Sequence, residues 1–155
     1  MRPGASTNLK EMPVEINRNL ADEDERKIVK LIVEFAWRVD HGMASSMHEI
    51  VTDDIEMVLT MSTMIGKDAV TEWGVRRDAT GKTTAHLMSN YRFSVLTPER
   101  AEVDSSATIF VHGETGVGPA LPWAVTEYHD IVVKDDEQWK FKSRVSRDIF
   151  KSDDH

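Results

Sequence analysis

The sequence has no cysteine, so the disulfide framework of a small exported domain is ruled out. It also lacks an apolar run long enough to cross a bilayer and an N-terminal leader of charged, apolar and small residues. With nothing to direct the chain to a membrane or out of the cell, a cytoplasmic protein is the expectation. Basic residues are in deficit as well. Lys and Arg number 19 against 27 Asp and Glu, for a net charge of −8, and they form no cluster. A nucleic-acid surface needs the opposite balance. There is no internal repeat and no low-complexity tract. What remains is 155 residues, enough for one domain with a real core and too few for two.

The organising stretch is Ile28 to Gly42. Ile28, Leu31, Ile32, Phe35, Ala36 and Val39 recur at helical spacing, with Lys27, Lys30, Glu34 and Arg38 on the other side, which predicts an amphipathic helix packed on a core. Asp40 falls four residues after Ala36 and eight after Ile32, so it projects from the apolar face near the helix C-terminus. Burial and the helix dipole both disfavour an anion there, and such a carboxylate needs a cationic or hydrogen-bonding partner. A carboxylate poised in this way suits general-base chemistry.

Around that helix the chain reads in order. Met1 to Asn19 shows no periodicity and is expected to be a loosely held arm, leaving residues 20–155 as the single domain. Met43 to Ile50 predicts a short second helix. A strand begins at Asp53-Asp54, and a helix runs from Lys67 to about Arg77. Four strand-like runs follow: Thr84–Val95, Ala101–Gly113, Trp123–Val133 and Gln138 to about Ile149. Their short connections predict antiparallel pairing. Helices first and an antiparallel sheet afterwards is an α+β pattern, with the helices on the concave face of a curved sheet.

Two strands carry candidates for the partner of Asp40. Strict alternation places His86, Met88, Asn90 and residue 92 on one face, and His112 with Thr108 and Phe110 on one face of the next strand. Two histidines and a helix carboxylate could converge inside a cone. A His-Asp pair would fix the imidazole tautomer and make a base for a carbon-bound or hydroxyl proton. The alternatives are an ordinary structural histidine and a two-histidine, one-carboxylate metal site, with Glu127 or His129 as the only nearby additions. Gly113 to Gly118 lacks the Lys-Ser/Thr and the following helix of a phosphate loop and reads as a turn. Met57, Met61, Met64 and Met88 suit either an adaptable apolar pocket or plain core. Tyr128, alternating with Thr126 and Asp130, is a candidate phenolic donor. Arg144 and Arg147 are expected to be solvated.

The early helix ending in Val39-Asp40-His41-Gly42, the Asp53-Asp54 strand start, Gly66-Lys67-Asp68-Ala69-Val70, Thr84 to Asn90 and Gln138 to Arg144 together resemble the SnoaL-like proteins of the nuclear transport factor 2 superfamily. The resemblance covers about residues 22 to 150. It implies a cone-shaped curved antiparallel sheet wrapped round a pocket and closed by N-terminal helices. Within that superfamily the motifs are most similar to the scytalone dehydratases and their bacterial relatives. That likeness implies a cofactor-free and metal-free elimination in which Asp40, His86 and His112 act together, with Asp40 orienting His112.

It departs from that pattern at Val39 and near Met57 or Val58, where tyrosines are expected, and at Thr126 and Tyr128, which replace a serine and an asparagine. The expected reaction is dehydration of a small hydrophobic cyclic or aromatic hydroxy-ketone, bound by Tyr128, Thr126, Met57, Met88, Asn90 and Phe110. The alternatives are an isomerase of the ketosteroid type and a non-catalytic small-molecule binder. The expected partners are that substrate and a second or third copy of the chain, as a homodimer or homotrimer.

Overall fold

The computed structural model describes residues 22–113 and 116–153. The arm expected over Met1 to Asn19, and the centre of the glycine-containing turn after Gly113, lie outside the described residues. The elements are α1 (Asp22–Asp40), a short 3-10 turn (Ala44–Glu49), β1 (Val51–Leu59), β2 (Ser62–Ile65), α2 (Lys67–Ala79), β3 (Thr83–Thr97), β4 (Arg100–His112), β5 (Ala124–Asp135) and β6 (Gln138–Lys151). No helix among the described residues is long and apolar enough to cross a membrane.

Helix α1 forms where its periodicity predicts. Four acidic residues, Asp22 to Glu25, occupy its first turn, where the helix dipole favours negative charge. Its buried stripe is Ile28, Leu31, Ile32, Phe35, Ala36 and Val39. Gly42, at φ 67°, turns the chain out of the helix, a conformation that a Cβ would oppose. The expected second helix is the tighter 3-10 turn, and the Asp78 carboxylate accepts from the backbone N–H groups of Ala44 and Ser45 at its start.

The six strands form one curved sheet in the order β2-β1-β6-β5-β4-β3. β3 to β6 make an antiparallel meander, as the short turns predict. One seam differs, since β1 runs parallel to β6. β2 is a four-residue strand that pairs back on β1, and it is too short to leave an alternation signal in the sequence.

Two bulges decide which residues face the helices. On β3, Ser89 pairs with Ser106 and Arg92 with Asp104, so Asn90 and Tyr91 together oppose Ser105. Asn90 takes φ 56°, a left-handed conformation that asparagine tolerates. The alternation therefore changes phase: Thr84, His86 and Met88 face inward, followed by Tyr91 and Phe93. On β6, Ile131 pairs with Ser143 but Val132 with Phe141. Lys142 is the extra residue, and Arg144 replaces residue 143 on the inner face.

The main core lies between this inner face and α1, built on Ile28, Ile32, Val51, Ile55, Val103 and Phe141. Trp139 closes one end, its indole N–H donating to Asp24.

Candidate active site

β3 is an edge strand, so alternate backbone N–H groups point away from β4 and need another acceptor. The last residue of α1 supplies it. The Asp40 Oδ2 accepts the His86 backbone N–H at 2.8 Å. Its Oδ1 accepts the Thr84 hydroxyl at 2.7 Å and lies 2.6 Å from His86 Nδ1. Both side chains are largely covered, at 13% exposed for Asp40 and 15% for His86. Burial pushes the Asp40 carboxyl up, but bonds and charge from His86 together with the Thr84 hydroxyl outweigh it and hold the pKa below the ordinary aspartate value.

That ionisation fixes the imidazole. A carboxylate can only accept, so His86 Nδ1 is the donor, and in the neutral ring Nε2 keeps the lone pair. Arg77 fixes the third contact in turn, its Nη2 donating to Thr84 Oγ1 at 2.9 Å. The Thr84 proton is then free to point at Asp40.

Register and alternation give the rest of the inner face. His86 lies opposite Ile109, which pairs with Ala124; Met88 lies opposite Ala107, then Thr126 and Asp148; Ser105 pairs with Tyr128, and Tyr128 with Ser146. Small residues thus occupy the middle of β4 and β5, between the His86 wall and the β6 wall. Tyr128 is buried. Burial raises its pKa first of all, the Asp130, Asp148 and Asp40 carboxylates add to this, and Arg144 opposes it. It is held as a neutral phenol, a hydrogen-bond donor.

Arg144 is 1% exposed and bonds Asp130 through Nε at 2.7 Å and Nη2 at 2.8 Å. Its guanidinium lies 4.3 Å from the Phe35 ring centroid, 4.5 Å from Phe141 and 4.7 Å from Tyr128. This corrects the expectation that Arg144 is solvated: the Lys142 bulge brings it inward, and Asp130 balances its charge. Arg147 is exposed, paired with Glu127.

The structure brings Asp40 and His86 together and places Met57, Met88, Thr126 and Tyr128 on the inner side. It separates three other expected site residues from them. His112 and Phe110 alternate with the inward-facing Ile109 and Val111 and lie on the outer face. The His112 ring packs so closely on Gly118 that a Cβ there would come within 2.7 Å of it. Asp40 therefore orients His86 and not His112, and the convergence of two histidines on one carboxylate does not occur. Asn90 is exposed because the bulge turns it outward. His129 is also on the outer face, bonded to Asp104. A surface hollow of about 520 Å³ opens there, lined by Asn90, Arg92, Asp104, Glu127, His129 and Arg147 among others, away from the Asp40–His86 pair.

Sequence reasoning missed Thr84 and Arg77. The signal for Thr84 was its position two residues before His86, on the same strand face.

Known proteins share this architecture. A candidate scytalone dehydratase from Novosphingobium aromaticivorans DSM 12444 superposes with a TM-score of 0.74 at 24% identity, over 86% of this chain and 89% of that one. The hexachlorocyclohexane dehydrochlorinase LinA type 2 gives 0.69 at 14% identity, over 84% and 88%. A candidate dehydratase of the NTF2-like family from Streptomyces avermitilis gives 0.70 at 15%, over 83% and 98%. At these identities the likeness establishes the fold. No curated protein matches the chain in sequence. The SnoaL-like domain model, however, matches residues 21–145, and the chain belongs to the SnoaL-like family.

Proposed function

We propose that this protein is a cofactor-free lyase that eliminates water from a small apolar hydroxy-ketone, with His86 as the base. The observation that carries this reading is the three-point clamp on Asp40, which turns His86 Nδ1 toward the carboxylate and leaves Nε2 as the basic nitrogen. His86 Nε2 takes the proton alpha to the carbonyl, and the C–H electron pair moves into the enolate. Asp40 stabilises the imidazolium that forms, and Tyr128, kept as a phenol, donates a hydrogen bond to the developing enolate oxygen. As the enolate collapses, the β C–O bond breaks and the departing hydroxide takes the proton back from His86. The products are an enone and water, and the base is regenerated. Met88 and Ile109 supply the apolar wall that suits a cyclic or aromatic substrate, while Met57 lies fully buried in the main core.

The likeness to proteins named as dehydratases and a dehydrochlorinase supports elimination as the reaction type, since both names describe loss of a proton and a leaving group from adjacent carbons. The test is exchange of the α-hydrogens of a panel of cyclic hydroxy-ketones in deuterated water, followed by enone absorbance. Exchange that requires His86 is the expected result. Binding of the same ketones without exchange or enone formation would instead favour a non-catalytic binding protein.

A further inference from the structure

The hollow of about 520 Å³ on the outer face of the sheet has no part in the proposed elimination. Small-molecule sites run from roughly 300 to 1,000 Å³, so its volume admits a ligand. Strand register sets its walls in two rows. Arg92, Asp104, His129 and Val145 face one another across β3 to β6, and Ser106, Glu127 and Arg147 make the second row.

The charges in these rows are matched, with one exception. Glu127 pairs with Arg147 at 2.7 Å. Asp104 lies directly across the strands from Arg92, the arrangement in which opposite charges ordinarily pair. Its carboxylate instead accepts from His129 Nδ1 at 2.7 Å. Arg92 is left as a lining cation with no ion pair and no side-chain hydrogen bond among the described residues.

An anion completes this balance. Both carboxylates of the hollow are already held by a base, and the free guanidinium presents its N–H groups as a planar fork that matches a carboxylate. Asn90, turned outward by the bulge, and Ser106 add uncharged donors to the same lining. Val145, 41% exposed, adds an apolar surface. One fork, neutral donors and an apolar patch suit a single negative charge on a hydrophobic body. A dianion would meet Asp104 and Glu127 with only one unmatched cation to receive it.

We infer that the outer-face hollow is a second binding site, for a small organic monocarboxylate anchored by Arg92. The inference does not rest on the elimination reading, because neither Asp40 nor His86 lines the hollow.

The experiment titrates benzoate, and benzamide as its uncharged counterpart of similar size, into wild type, Arg92→Gln and Arg76→Gln at neutral pH. Binding is read from the backbone amide signals by two-dimensional NMR. Arg76 is an exposed cation on α2 outside the hollow's lining, so its loss changes the net charge equally without touching the site. The expected result is a saturable benzoate response at the hollow's residues, with a preference of roughly 10-fold over benzamide in wild type. That preference falls below about threefold in Arg92→Gln, where the charged fork becomes a neutral amide, and is unchanged in Arg76→Gln.

Equal affinity for the two compounds in wild type, shifts that never saturate or that fall elsewhere, an undiminished preference in Arg92→Gln, or an equal loss in Arg76→Gln would overturn the inference. So would a dimer by light scattering in which the hollow's amides do not respond to benzoate, because a second copy of the chain would then be its occupant. The wild-type comparison is decisive even if the Arg92 variant does not fold.

Discussion

The inner face holds two carboxylates, each paired with a nitrogen-bearing side chain, and the difference between the pairs separates function from structure. Asp130 and Arg144 are sealed, with Asp130 at 0% and Arg144 at 1% exposure, and three aromatic rings enclose the guanidinium. The cationic partner cannot give up a proton near neutral pH, because arginine keeps its charge. Asp40 and His86 make a contact just as short but stay about one-seventh exposed, and the partner of the carboxylate is an imidazole. The same pairing is therefore permanent in one place and titratable in the other. A fixed pair can set the shape of the floor, whereas only a titratable one can move a proton.

Breaking the sealed pair gives the largest expected effect on stability. Arg144→Met leaves Asp130 buried and uncompensated and costs about 3–5 kcal/mol in urea unfolding. Adding Asp130→Leu recovers most of that loss, because both charges then leave together. Breaking the other pair falls on rate instead. His86→Ala lowers α-hydrogen exchange about 100- to 10,000-fold, the range of a general base, and shifts the unfolding midpoint far less than Arg144→Met does.

Asp40→Asn sharpens the contrast by pH. The Asp40 pKa is lower in the folded chain than the ordinary value of about 3.9. Its contribution is thus fully present above roughly pH 4 and is lost as pH falls through the folded value. Stability curves of wild type and Asp40→Asn should converge as the medium becomes acid and stay apart by about 1–3 kcal/mol at neutral pH. Thr84→Val is the mildest break. It removes one hydrogen bond to Asp40 and costs about 0.5–1.5 kcal/mol, with a modest fall in exchange rate as the ring loses part of its support.

The sequence made Asp40 legible because helical periodicity is regular: offsets from Ala36 and Ile32 place it on the covered face whatever it touches. His86 followed from alternation, which holds from Thr84 to Met88. Beyond that point alternation fails, because one left-handed residue, Asn90, shifts the phase and turns its own side chain to solvent. The same loss of phase at Lys142 hid Arg144, which reads as one more surface cation until the bulge is known. His112 was assigned to the correct face of its strand, with Thr108 and Phe110, but which face looks inward is set by the neighbouring strands. Thr84 left only its position two residues before His86 as a signal, because a threonine hydroxyl acquires its role through partners remote in the chain. The α+β architecture was readable because it depends on the order and length of runs, which single bulges leave intact.

The central claim is that Asp40 holds His86 with Nδ1 protonated and Nε2 free to accept a proton. Nitrogen-15 NMR of the His86 ring at neutral pH tests it directly. The expected spectrum has a protonated Nδ1 with a strongly downfield proton and an unprotonated Nε2, both lost in Asp40→Asn. A ring protonated at Nε2 with a bare Nδ1, or a spectrum unchanged by Asp40→Asn, would contradict the account.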